Sequence, residues 1–265
     1  PSCPDRGADA CGRVWSLPAL ALLLLLALPL AARGQGDPRQ SPYFAVPALR
    51  QLMEWATFQL TFDAGNLIPD LAAGESKPAV QGTPRFAPGL RGQALVAGNG
   101  SGVGLYPRAG NASLPTQGAV ALWLCPVAWT HTQGGNTTLV MTSNANFYVQ
   151  RQGPWIEGSE LKRQEGLQFL LFSKTVGNGC LMFGTHGLVN GQWHLLAANW
   201  SWPTMAFSLD GGEFQSMTVK GKPPPEEFGN LLVGAGGGEE TLLDEVLFLR
   251  RPLSRAEVQA LYGAL

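Results

Sequence analysis

Two carboxylates that face one another can cleave a glycosidic bond, so the acidic residues are the first to weigh. A retaining pair must stand about 5 Å apart, and on a strand only alternate positions share a face. Glu239, Glu240, Asp244 and Glu245 come nearest to such a group. Glu239 and Glu240 follow Gly236-Gly237-Gly238 and read as a turn, while adjacent Asp244 and Glu245 point to opposite faces of a strand. Glu157, Glu160 and Glu165 lie in the polar stretch WIEGSELKRQEG, which reads as loop. Hydrolysis by paired carboxylates is therefore not expected. His131, His186 and His194 are the three histidines, and no G-x-S-x-G elbow or Ser-His-Asp order accompanies them.

Of the four cysteines, Cys3 and Cys11 precede an apolar run, leaving Cys125 and Cys180. These two are either one disulfide or two buried thiols. No C-x-x-C is present, which removes zinc and dithiol redox motifs.

Aromatic faces can stack on sugar rings, and the chain has eight tryptophans. Trp15 falls in the export segment, and Trp123 and Trp193 sit in strand patterns that bury them. Trp129, Trp155, Trp200 and Trp202 lie in loops or at strand ends and are the candidate ligand-binding residues. Pro203 makes it doubtful that Trp200 and Trp202 share a side. A packing role is the preferred reading for each, since sandwiches bury aromatics routinely. N-x-S/T sequons stand at Asn99, Asn111, Asn136 and Asn199. They matter only where the source glycosylates.

Gly 34, Pro 20 and only 14% charged residues in 265 suit many short strands joined by tight turns. A net charge of −1 speaks against a nucleic-acid partner. Residues 17–30, LPALALLLLLALPL, have the length of a signal-peptide core and fall short of a membrane span. Cleavage is expected after Ala32 or Gly34, with a start near Val14. An uncleaved anchor, and with it membrane attachment, is the alternative. The division is an export segment over 1–36, a linker and short helix over 37–56, and one domain over 57–265. Pro47 opens that helix, with Leu49, Leu52 and Met53 on one side.

From Thr57 the strands begin. Residues 64–93 read as a long loop anchored by Phe86 and Leu90. Strand candidates follow at 93–98, 103–106, 118–127, 138–141, 147–151, 167–173, 180–183, 193–200, 205–209, 214–219, 230–233 and 241–249. In GAVALWLCPV, Val120, Leu122 and Leu124 face one way and Ala121, Trp123 and Cys125 the other. Asp210-Gly211-Gly212 reads as a hairpin turn. In the last strand Asp244, Val246 and Phe248 alternate with Glu245, Leu247 and Leu249. Ser254 and Glu257 then stand in capping-box spacing, before an apolar stripe of Val258, Leu261 and Tyr262, with Gly263 at the C-cap. About a dozen strands spaced by turns is the pattern of a two-sheet sandwich.

The segment LLDEVLFLRRPLSRAEVQALY, residues 242–262, resembles the closing strand and helix of laminin-G-like jelly rolls in the concanavalin A-like lectin/glucanase superfamily. Asn190–Ala198 is similar to that family's W-H strand, Ser208–Gly211 to its D-G hairpin, Leu60–Asp63 to its first strand and Ala121–Leu124 to its A-W-V strand. The resemblance spans roughly residues 57–265. It implies an all-β fold, a two-sheet antiparallel jelly-roll sandwich with a short C-terminal helix. The E-x-D-x-E strand of the family's hydrolases is missing, which puts a glycosidase last. Relatives bind calcium at the sandwich rim with Asp and Asn side chains and backbone carbonyls. Asp63 and Asp244 are the candidate ligands here, with Asn66 and Asp70 nearby. The preferred reading is that they accept turn N–H bonds. A structural role is also the better reading of His194.

The expectation is an exported, non-catalytic domain, secreted, periplasmic or on the cell surface, that binds a carbohydrate or an extracellular or envelope protein. The alternative is a structural surface protein held by protein contacts.

Overall fold

The computed structural model describes residues 41–101, 103–106, 115–130, 135–143, 146–153, 165–173, 177–185, 187–219 and 228–265. The apolar run 17–30, Trp155, Glu157, Glu160, His131, His186 and Asn111 lie outside them. Among the described residues sixteen strands form two antiparallel sheets, with one α-helix before them and one after. A 3-10 turn, Pro42–Ala45, leads into α1, Pro47–Met53. The strands are β1 Ala56–Leu60, β2 Leu71–Ala72, β3 Ala79–Gln81, β4 Phe86–Pro88, β5 Gln93–Ala97, β6 Val103–Tyr106, β7 Gln117–Pro126 and β8 Asn136–Thr142. They continue as β9 Phe147–Gln152, β10 Gly166–Ser173, β11 Gly177–Phe183, β12 His194–Ser201, β13 Thr204–Leu209, β14 Gln215–Thr218, β15 Leu231–Gly236 and β16 Thr241–Leu249, before α2, Arg255–Tyr262.

One sheet runs β14-β13-β12-β7-β16-β1-β2, with β5 and β4 added beside β16; we call it the back sheet. The front sheet runs β11-β10-β9-β8-β15-β6-β3. The sandwich of the sequence reading is what forms, and β2, β3 and β4 are short strands within the stretch expected to be loop. Phe86 packs on the inter-sheet core and Leu90 on the outer face of the back sheet.

Between the sheets, Val120, Leu122 and Leu124 of β7 meet Phe147 and Val149 of β9 and Phe169 of β10. The alternate residues Ala119, Ala121 and Trp123 pack outward, against α1 and α2. Strand β7 is thus buried on both faces, which is why GAVALWLCPV is apolar throughout rather than alternating. Helix α1 lays Leu49, Leu52 and Met53 on that outer face, and α2 adds Val258 and Leu261, each buried. Tyr262 stacks on Trp123 with ring centroids 5.6 Å apart.

The capping box is complete: Glu257 N donates to Ser254 Oγ (3.2 Å), and Ser254 N donates to Glu257 Oε2 (2.8 Å). Arg251 adds a forked pair, Nη1 to Oε2 at 3.0 Å and Nη2 to Oε1 at 2.6 Å. That guanidinium, with the Ser254 hydrogen bonds, holds the Glu257 carboxyl down at about 2. Gly263 occupies the C-cap with φ −86, so a left-handed cap does not form.

The last strand departs from strict alternation. Leu243 pairs with Leu124 and Asp244 with Trp123, but Leu247 pairs with Ala121, so β16 carries a bulge. Glu245 sits at its centre with φ 51. The phase slips there, as it must when one residue is inserted. Asp244 therefore lies across from Trp123, on the other face from Val246 and Phe248. Cys125 and Cys180 are both buried free thiols, in different sheets, which decides the question the sequence left open.

Candidate binding face

The outer face of the back sheet is closed by α1 and α2. The outer face of the front sheet has no such cover among the described elements. In that sheet Leu231, Val233, Phe147, Val149, Phe169, Leu171 and Leu181 point into the core. Their neighbours in sequence point the other way. The strand register aligns these outward residues in one row: Ala79, Leu105, Leu232, Met141, Tyr148, Leu170 and Cys180.

The row changes character along its length. Leu105, Leu232, Met141 and Tyr148 are half-buried, whereas Leu170 and Cys180 are buried. None of these belongs to either hydrophobic core. From Leu105 to Tyr148 the half-buried part crosses three strand spacings, about 14 Å. Beside it runs a polar row. Gln150 Nε2 donates to Gln168 Oε1 at 2.7 Å, and Gln168 Nε2 donates to Cys180 Sγ at 3.1 Å. Thr138 stands opposite Gln150. The face thus carries one half-buried aromatic ring and a strip of half-buried aliphatic surface, with the buried Gln150 and Gln168 amides fixed beneath it. Aromatic and apolar contact with a few placed polar groups is what a ligand site needs.

Of the four tryptophans weighed as ligand contacts, the three among the described residues pack into the fold. Trp129 is buried, and its Nε1 donates to Glu240 O (3.2 Å) and Thr241 Oγ1 (3.1 Å). Arg151 covers its ring at 4.9 Å. Trp200 is 1% exposed and packs among Phe147, Phe169 and Phe228. Trp202 is partly buried against the same core, so it does share a side with Trp200. Burial takes Trp129 and Trp200 out of reach of a ligand. Trp155 lies outside the described residues. Tyr148 was missed, although its place between inward Phe147 and Val149 is a signal.

Strand β1 pairs with β16, which puts Asp63 near enough to Asp244 for its charge to add to the upward push on that carboxyl, while desolvation and then the Asp70 charge raise Asp63 itself. Asp244 is fully buried and accepts from Leu90 N (2.9 Å) and Glu245 N (2.9 Å). Desolvation lifts its carboxyl to about 7 in spite of these bonds. Desolvation and then the Asp244 charge lift Glu245 to about 8. Both Glu245 oxygens are buried without a good hydrogen bond, with the Tyr43 phenol beside them outside favourable geometry. The turn 89–92 wraps closely: a Cβ on Gly89 would stand 2.6 Å from Asp244 Oδ2, and one on Gly92 2.5 Å from Asp63 Oδ1. Asp70 is engaged at the strand end, accepting from Thr61 N and Oγ1 at 3.0 Å each. Among the described residues no three His, Cys, Asp or Glu side chains converge as metal ligands.

Two of the carboxylates weighed for hydrolysis are committed elsewhere. Glu165 and Glu239 both pair with the buried guanidinium of Arg151. Thr130 N and Oγ1 donate to Glu239 Oε1 at 2.7 and 2.6 Å, and Thr185 Oγ1 donates to Glu165 at 2.7 Å. The group ties the end of β9 to the turn before β16.

Comparison with known proteins places this geometry. The model of the concanavalin A-like lectin/glucanases superfamily matches residues 98–259, more than half of the chain. A comparison with curated protein sequences finds no match. Among solved structures, the chain is similar to domain 4 of AbnA, a GH43 extracellular arabinanase from Geobacillus stearothermophilus, in complex with arabinotriose. That likeness has TM-score 0.55 and 18% identity over 78% of this chain and 99% of that one. It is also similar to the binding domain of botulinum neurotoxin DC in complex with SialylT (TM-score 0.62, 11% identity, 80% of this chain, 52% of that one). The same toxin domain in complex with rat synaptotagmin II gives TM-score 0.62 and 12% identity, again covering 80% of this chain and 52% of that one. At such identities the likeness is one of fold.

Proposed function

We propose, for a chain that belongs to the concanavalin A-like lectin/glucanase superfamily, a non-catalytic binding role centred on the outer face of the front sheet. The observation that carries this reading is the aligned row Leu105, Leu232, Met141 and Tyr148, half-buried and outside both cores. A carbohydrate is the ligand class we favour. Tyr148 supplies an apolar ring for a sugar face, and half-buried Thr138 supplies a hydroxyl near it. Structural neighbours solved with arabinotriose and with SialylT support that class. The engagement of Glu165 and Glu239 by Arg151 supports a role without hydrolysis. The apolar run 17–30 supports delivery outside the cytoplasm, secreted, periplasmic or to the cell surface.

A protein partner is the second reading. Three of the four half-buried residues in the row are aliphatic, which suits a protein surface better than a sugar. A glycan array probed with the folded chain and with Tyr148→Ala tests the first reading. Wild type should retain a subset of glycans, and the variant should lose about tenfold in affinity, the worth of one aromatic contact. An array without binding, from a chain shown to be folded by its melting transition, would refute the carbohydrate reading.

Calcium belongs to the same proposal. Asp63 and Asp244 would hold it, and the ion would supply the positive charge that buried Asp244 lacks.

A further inference from the structure

We propose that Asn99 and Asn136 carry N-linked glycans and that Asn199, in a third sequon, stays bare. The motifs are Asn99-Gly100-Ser101, Asn136-Thr137-Thr138 and Asn199-Trp200-Ser201. Sequence alone cannot rank them; their surroundings can.

Asn99 is exposed on a tight turn, with φ 45 at Asn99 and 70 at Gly100. A Cβ placed on Gly100 would meet nothing within 4 Å. Asn136 is exposed at the first position of β8. The two are spatial neighbours through one glycine: Asn99 N donates to Gly238 O at 2.8 Å, and Gly238 N donates to Asn136 O at 3.2 Å. Gly237, next to it, likewise faces open space. Both acceptors are exposed at one rim of the sandwich.

Asn199 is the opposite case. It is 6% exposed, its Nδ2 donates to Leu253 O at 2.8 Å, and its Oδ1 accepts from Leu253 N at 2.9 Å. A sugar on that nitrogen would occupy the place of the segment that leads into α2. Glycosylation there and the native docking of α2 exclude one another.

The chemistry is a glycosyl transfer. The side-chain amide nitrogen attacks C1 of an oligosaccharide carried on a polyprenyl pyrophosphate. The N–C1 bond forms, the bond from C1 to pyrophosphate oxygen breaks, the nitrogen loses one proton and polyprenyl pyrophosphate leaves. One N–H remains on the nitrogen, so Asn99 can still donate to Glu240 Oε1, now at 3.2 Å. The proposal includes passage of the chain through a compartment that holds this donor, and it is independent of the ligand bound by the front sheet.

The test uses the full chain, with its own N-terminal segment, produced in cultured eukaryotic cells. Amidase release of glycans in heavy-oxygen water converts each occupied Asn to a labelled Asp, which peptide mass spectrometry locates. Label is expected at 99 and 136 and not at 199. Ser101→Ala and Thr138→Ala should each remove their own label while leaving the Asn in place, and Ser201→Ala should change nothing. Absence of label at either Asn99 or Asn136, including a chain that never enters the compartment, overturns the proposal. So does label at Asn199 in folded protein.

Discussion

His194 Nδ1 stands 2.8 Å from Asp210 Oδ2, and this contact joins two motifs that are sixteen residues apart. The other oxygen, Oδ1, accepts from Leu195 N at 2.9 Å. Asp210 itself turns left-handed, with φ 52, and Gly211 follows at 68, in the turn that Gly212 N closes by donating to Leu209 O at 2.9 Å. One side chain therefore fixes the turn and the strand beside it. Asp210→Ala should cost about 2–3 kcal/mol, because it strands a part-buried N–H and removes the short polar side chain that lets this residue hold a left-handed backbone. Asp210→Asn tolerates that backbone and still accepts a bond, so it should cost about half as much. Urea midpoints of the two variants decide this; equal losses would mean that the side-chain contacts carry nothing.

Asn199 clamps both backbone groups of Leu253, and the clamp seats the chain for α2. In Asn199→Ala the buried N–H and C=O of Leu253 lose their partners. The expected loss is about 2–4 kcal/mol, from two stranded backbone groups at 1–3 kcal/mol each less some relaxation. The denaturation midpoint should fall while the slope holds. Unchanged stability would show that α2 docks through Val258 and Leu261 alone.

Glu257 sets an acid limit on the same helix. Its folded pKa, about 2, lies below the usual value of about 4.3. The carboxylate thus contributes stability above about pH 4.3, and that contribution is lost as the pH falls toward 2. Arg251→Ala removes the main cause of the depression, so the acid-induced loss of stability should become shallower between pH 4.3 and 2. Thermal melts across that window measure the slope. A variant with the wild-type slope would show that the pair contributes no linkage.

Calcium should raise the melting temperature of the wild-type chain relative to chelator. A hundredfold excess over Kd is worth about 2.7 kcal/mol, and each kcal/mol moves a domain of this size by about 2–4 °C. Asp244→Asn should lose the shift. Coincident wild-type melts in calcium and chelator would remove the metal from Asp63 and Asp244.

The parts of this fold that were legible in the sequence are the locally determined ones. Ser254 and Glu257 form their capping box within one turn, so spacing alone reveals it. Val120, Leu122 and Leu124 separate from Ala121 and Trp123 because a strand's period cannot hide. The bulge at Glu245 was not legible, since an inserted residue shows only against the partner strand, here as the jump from Trp123 to Ala121. Trp129 looked like a loop aromatic, yet its indole N–H finds Glu240 O and Thr241 Oγ1 inside the fold. Tyr148 was readable as facing away from Phe147. That it joins Met141, Leu232 and Leu105 in one row depends on registers between strands far apart in sequence, which local patterns do not encode.

The placing of α1 and α2 gives the molecule a front and a rear. Both helices pack on the back sheet and touch each other, so the described fold is entered and left from that side. Whatever is joined at either end, be it a tether, another domain or a surface, is attached behind the sandwich. Tyr148 and its row lie on the opposite sheet, whose outer face no described helix covers. A partner fused at either end should therefore leave binding at the front sheet intact.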